Sequence, residues 1–192
     1  MTQRKKTPMA RMATAKGMAH FAYIDKPDSG REYSDDKFKV TISFDAADPF
    51  VKQLEDKVDA LLAEHFGTKI PRNIHHPVKD GDDTSIDALQ GRVFIRAKTV
   101  KKPMLVDAKN QPVPEGITVF SGDIIRAGIT LAVFDGAQKG VTAYLDAVKI
   151  IEKRAGGSGG GNVASMFGDD DGYVAPADVE SDTAAFDDDD DL

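Results

Sequence analysis

Apolar and polar residues alternate with period two through most of the first 150 positions. That is the pattern of strands with one face buried. Phe38, Val40, Ile42 and Phe44 point one way and Lys39, Thr41 and Ser43 the other, which predicts a strand over 38–44. The run 18–24 predicts an earlier strand, followed by the turn-rich stretch Lys26, Pro27, Asp28, Ser29, Gly30. Over 92–99, Val93, Ile95 and Ala97 face a core, while Arg92, Phe94, Arg96 and Lys98 share the opposite face. Residues 104–106 form a short apolar run before a turn at 107–110. Strands are again expected over 124–134 and 141–152, joined by a hairpin turn from Asp135-Gly136 to Gly140.

One stretch changes period. Phe50, Leu54, Val58, Leu61 and His65 recur at helical spacing, after Asp48 as N-cap with Pro49 at the first helical position, and Gly67 stops the run. Residues 67–90 are polar, rich in Gly, Pro and Asp, and read as a long loop with a functional use. The pattern predicts a mainly β domain over 18–154, a small five-stranded antiparallel barrel with one inserted helix. A two-layer α+β sheet is the structural alternative.

Charge divides the 192-residue chain unevenly. From Ala155 on there are eleven acidic residues and no Lys or Arg, against 25 basic and 21 acidic residues before it. Residues 1–17 read as a flexible basic arm, 155–161 as a glycine-rich linker, and 162–192 as a disordered acidic tail. A mildly basic body with a tethered anionic arm points to another polyanion as ligand. The absence of cysteine excludes disulfides and thiol chemistry. No apolar run is long enough to span a membrane, and the basic N-terminal segment lacks the apolar stretch of a secretory signal.

Single-stranded nucleic acid asks for cations along its phosphates and exposed rings under its bases. The face of Arg92, Phe94, Arg96 and Lys98 supplies both, extended by Lys101 and Lys102; an ordinary solvated strand face is the plainer reading. Lys37 and Lys39 lie on the outward side of their strand, with Lys26 and Arg31 in the loop before it. Tyr23 and Tyr144 are candidate stacking rings, whereas Phe21 is read as structural. His75 and His76, near Asp80, Asp82 and Asp83, lack the spacing of a metal or calcium site, so no metal, cofactor or catalysis is expected. A nuclease using them is one rival; a scaffold that engages basic proteins through its tail is another. In the tail, Phe186, Asp187, Asp188, Asp189, Asp190, Asp191 and the terminal Leu192 form a candidate partner-binding segment.

Several segments in order resemble a known family. Phe21-Ala-Tyr-Ile-Asp-Lys-Pro-Asp28, Phe38-Lys-Val-Thr-Ile42 and Asp48-Pro49 are similar to the opening of the phage single-stranded DNA-binding proteins found in T7-like viruses. Lys102-Pro-Met-Leu-Val-Asp-Ala-Lys109, Ser121-Gly-Asp123 and the closing segment at 140–151 are similar to their second half. The resemblance implies an OB-fold-like barrel that coats single strands during phage replication and recombination, in the cytoplasm of an infected bacterial host. It further implies a tail that contacts the replicative polymerase and helicase–primase and supports a homodimer. Tyr23, Lys26, Arg31, Lys101, Lys102 and Tyr144 fall in the matching segments. The family's tails end in an aromatic residue, where this chain has Leu192.

Overall fold

A computed structural model describes residues 7–30 and 32–154. The chain divides into two compact units, Met1–Gly160 and Gly161–Leu192, and every described residue belongs to the first. The acidic tail and its candidate residues therefore lie outside the described residues.

The described part contains nine strands and one α-helix: β1 (Met9–Ala13), β2 (Gly17–Asp28), β3 (Lys37–Asp45), α1 (Pro49–Phe66), β4 (Ile74–His75), β5 (Val78–Asp80), β6 (Arg92–Thr99), β7 (Met104–Val106), β8 (Ile124–Asp135) and β9 (Lys139–Glu152). A short 3-10 turn, Asp87–Leu89, precedes β6. No helix among the described residues is long and apolar enough to cross a membrane.

The alternating runs become the long strands because each has one apolar face to bury. Val40, Ile42 and Phe44 of β3, Ile95 and Ala97 of β6, Ile125 to Val133 at every second position of β8, and Val141, Ala143 and Leu145 of β9 form the core. The amphipathic face of α1 closes it with Phe50, Leu54, Val58 and Leu61. Asp48 caps the helix by accepting the Phe50 N–H at 2.8 Å, and Gly67 ends it at φ 66°, a conformation glycine adopts without strain.

The five-stranded barrel expected from the pattern, OB-fold-like by the resemblance, is corrected. The strands lie in one nine-stranded sheet in the order β1-β8-β2-β3-β6-β9-β4, with β5 beside β6, β7 beside β9, and β8 also paired with β9. The architecture is not a five-stranded barrel. Two physical features hid this from the alternation. Strands β4, β5 and β7 are two or three residues long, too short to show a period. In addition, β4, β6 and β7 all pair with β9 in parallel, through connections that a hairpin reading does not anticipate.

Two segments read as irregular are structured. Met9–Ala13, within the stretch read as a flexible arm, pairs with β8 from Met9↔Ala132 to Ala13↔Gly128. The long loop at 67–90 carries β4, β5 and the short 3-10 turn, with Leu89 fully buried. At Gly140, opposite His75 of β4, an added Cβ would stand 2.2 Å from the His75 carbonyl oxygen. Only glycine admits β4 there.

Candidate nucleic-acid interface

One transverse row of the sheet carries the arrangement that a single strand requires. Register places Tyr23 of β2 opposite Lys39 of β3, Lys39 opposite Lys98 of β6, and Lys98 opposite Tyr144 of β9. The row continues through Thr130 of β8 to Arg11 of β1. Two rings thus flank two lysines across four adjacent strands. At about 4.8 Å per strand, the tyrosines are roughly 14 Å apart. The alternate residues of these strands, Val40, Ala97, Ala143 and Leu145, are in the core, so the row is on the outer face. Tyr144 is 48% exposed.

The electrostatics of the row are set by a carboxylate that alternation does not reveal. Asp35, in the β2–β3 connection, accepts from Lys39 Nζ at 3.1 Å and from Lys98 Nζ at 3.3 Å. Lys39 also pairs with Asp28 at 2.5 Å, and its ammonium sits 5.6 Å from the centre of the Tyr23 ring. Burial alone would raise the Asp35 pKa, but the lysine hydrogen bonds outweigh it and hold the carboxyl below its ordinary value. For Lys39, burial works against the charged form, and the bonds to Asp28 and Asp35 overcome it, raising the pKa. Both groups are ionised at neutral pH.

Beside the row lies a polar network. Arg92 Nε donates to Ser43 Oγ at 2.8 Å, and Ser43 Oγ is 2.8 Å from His20 Nε2. Burial, and then the Arg92 charge, lower the His20 pKa, which keeps this buried ring neutral. Arg96 is exposed, and its Nε donates to Thr41 Oγ1 at 3.3 Å. Cross-strand bonding of this kind fixes the guanidinium groups over the face rather than leaving them to sweep through solvent.

The structure brings together Tyr23, Lys39, Arg92, Arg96, Lys98 and Tyr144 of the expected residues. Phe94 does not present the exposed ring expected of it: it shares their side of β6 but is only 2% exposed. Lys79 of β5, within the 67–90 segment, pairs opposite it, and His75, Pro77 and Thr84 line the same recess, neighbours that a local strand pattern cannot disclose. Lys37 is half-buried opposite Asp28, at the far end of the β2–β3 ladder. Lys26, Lys101 and Lys102 are exposed and take no part in the strand pairings of the row, and Lys102 pairs with Asp25 at 2.7 Å. Arg31 lies outside the described residues, as do Phe186, Asp187, Asp188, Asp189, Asp190, Asp191 and Leu192.

Three further exposed residues were not among the expected site residues. Phe21, read as structural, is 46% exposed at φ 48°, and its N–H donates to Ser121 Oγ at 3.2 Å. The register shifts by one residue between His20 and Tyr23, and such a bulge turns a side chain out of its nominal face. Tyr33, in the β2–β3 connection, is 89% exposed; an aromatic amid Gly, Glu, Ser and Asp was the available signal. Arg11 lay in a segment not read as a strand.

The loop histidines and aspartates have local tasks. His76 Nδ1 is 3.3 Å from the Val78 nitrogen, Asp80 Oδ1 accepts the Asp82 N–H, and Asp82 Oδ1 accepts the Gly91 N–H. Among the described residues, no three His, Cys, Asp or Glu side chains converge as a metal-ligand set.

A family model described as the ssDNA-binding protein of Enterobacter phage Enc34 matches residues 11–178. The chain belongs to that family. A curated relative, putative protein p50 of Acyrthosiphon pisum secondary endosymbiont phage 1, is 24% identical over 126 residues, covering 60% of this chain and 68% of p50. Solved structures of phage proteins are also similar to the described domain. The single-stranded DNA-binding protein from bacteriophage Enc34 in complex with ssDNA matches with a TM-score of 0.61 at 15% identity, over 74% of this chain and 86% of that one. The gp2.5 single-stranded DNA binding protein of bacteriophage T7 matches with a TM-score of 0.58 at 20% identity, over 88% of this chain and all of gp2.5. These structures share the fold of the described domain.

Proposed function

We propose that this Enc34-family protein coats single-stranded DNA during phage replication and recombination, as a binding protein and not an enzyme. The observation that carries the reading is the Tyr23–Lys39–Lys98–Tyr144 row. Its lysines, joined by Arg92, Arg96 and Arg11, neutralise phosphates, and its two rings offer faces on which bases stack. Paired bases in a duplex present no free faces to such rings, so single strands are preferred without regard to sequence. The peripheral cations Lys26, Lys37, Lys101 and Lys102 extend the field toward the strand's ends.

Fluorescence-anisotropy titration of labelled single-stranded and duplex oligonucleotides tests this. Tight single-strand binding that weakens as salt rises is expected, with duplex bound poorly. Tyr144→Ala is expected to cost about 1–3 kcal/mol of single-strand affinity. A flat salt response, or full affinity in Tyr144→Ala, would overturn the row as the binding site.

The tail extends the proposal. Five consecutive aspartates followed by Leu192 suit a basic pocket with a small apolar recess, such as one on a polymerase or helicase–primase. On the same chain they compete with DNA for the basic face, because tethering raises their effective concentration there.

A further inference from the structure

A recess on the outer face collects cations from two separate parts of the chain. On one edge of β6, β5 pairs with Val93 to Ile95 and β9 with Ala97 and Lys98. Where one neighbour gives way to the other, a cavity of about 370 Å³ opens. Arg96 and Lys98 line it from β6, while Lys79 of β5 and His75 of β4 line it from the 67–90 segment. Lys79 stands directly opposite Phe94. Residues so paired share a side of the sheet, which puts Lys79 on the face of Arg96 and Lys98.

The lining selects the occupant. Phe94 is 2% exposed and Pro77 is buried, so neither offers an open surface on which a base could stack. The accessible groups are donors: the ammonium groups of Lys79 and Lys98, and the guanidinium of Arg96. Arg96 Nε is committed to Thr41 Oγ1, which leaves the two terminal nitrogens to an incoming acceptor. His75 adds an N–H whether its ring is neutral or charged. No carboxylate among the described residues lines the recess. A phosphodiester, which is anionic and only accepts, matches that set.

Two of these cations also lack a counterion. Lys98 shares Asp35 with Lys39, but among the described residues no carboxylate is within ion-pair distance of Lys79 or Arg96. Asp80 and Asp83 border a neighbouring hollow with Lys79, where Asp80 Oδ1 accepts the Asp82 N–H instead. Lys98 belongs at once to the recess and to the row, opposite Tyr144. A base stacked on Tyr144 therefore brings its backbone to the mouth of the recess.

Resting on the coating function proposed above, we propose that this recess seats a backbone phosphate of the bound strand, beside the nucleotide stacked on Tyr144. Lys79 and His75 hold it from one side, Arg96 and Lys98 from the other. The 67–90 segment is then one wall of the DNA path, not a connection beside it. Because the contact is to the backbone, it adds affinity without sequence preference.

The test uses the full chain with Lys79→Gln and Lys79→Arg. Anisotropy titrations over a range of salt compare an oligodeoxythymidylate with an abasic strand of the same length. Lys79→Gln is expected to weaken both by a similar factor, roughly three- to tenfold, and to lower the salt slope by about 0.7, the share of one phosphate on a single strand. Lys79→Arg, which keeps the charge, is expected to bind within about twofold of wild type. An unchanged slope in Lys79→Gln, a loss confined to the oligodeoxythymidylate, or an equal loss in Lys79→Arg would overturn the phosphate seat. Failure of the wild type to bind either strand would overturn the coating function itself, which is a separate result. A second measurement reads the wild type directly. Acetylation of Lys79 by an N-hydroxysuccinimide ester is expected to slow when the oligodeoxythymidylate is bound, while Lys57, exposed on α1, reacts as before. Equal reactivity of Lys79 with and without the strand would refute its contact with the backbone.

Discussion

Asp35 holds Lys39 and Lys98 together at the middle of the face, so a phosphate reaching those lysines must contend with it. Removing the charge while keeping the side-chain size, Asp35→Asn, is therefore expected to tighten single-strand binding by about threefold, in line with the modest strength of partly exposed ion pairs. Anisotropy titration at low salt checks this, and weaker binding would show instead that Asp35 positions the lysines. A second residue has a signature in pH. Burial and Arg92 depress the His20 pKa, so the unfolded chain takes up a proton there more readily than the folded one. The stability this contributes is complete above the ordinary histidine value of about 6.5 and is lost as pH falls below it. The Tm is expected to drop between about pH 7.5 and pH 5, and less steeply in His20→Gln; parallel slopes in the two proteins would remove His20 as the cause. Neither Asp35 nor His20 was legible as a functional neighbour in the sequence. Alternation assigns a residue to a side of the sheet but says nothing about which loop carboxylate returns to it. Phe21 shows the same limit in another form, since the bulge that exposes it leaves no mark on the apolar pattern.

At the scale of elements, the long strands and the helix were readable because each repeats its period several times. The spacing placed α1 correctly from its Asp48 cap to its Gly67 stop. The outward sides of β3 and β6 also followed directly from alternation. Contacts between elements far apart in the chain were not readable. The residue paired with Phe94 comes from the 67–90 segment, and β4, two residues long, reaches β9 only because position 140 lacks a side chain. Gly140→Ala is expected to lower stability by about 1–3 kcal/mol, since a methyl group there would displace the His75 backbone. Chemical denaturation measures it, and an unchanged midpoint would mean that β4 shifts without cost.

For the molecule as a whole, composition carried information that no single element held. The segregation of eleven acids into a tail without a single Lys or Arg pointed to a basic body before any strand was assigned. Truncation after residue 161 is expected to tighten single-strand binding, because it removes a tethered competitor. Unchanged affinity of the 1–161 protein in the same titration would leave the tail with partner recruitment alone.

The ion cluster around Asp35 has a consequence for how such binding is counted. Salt sensitivity normally reports how many small cations condensed on the DNA leave for bulk solution when protein cations neutralise its phosphates. Lys39 and Lys98 already share a counterion that is covalently part of the chain, and it stays behind when DNA arrives. A salt titration therefore undercounts the cations that touch the strand, and the shortfall is a measure of the anion the protein supplies to itself.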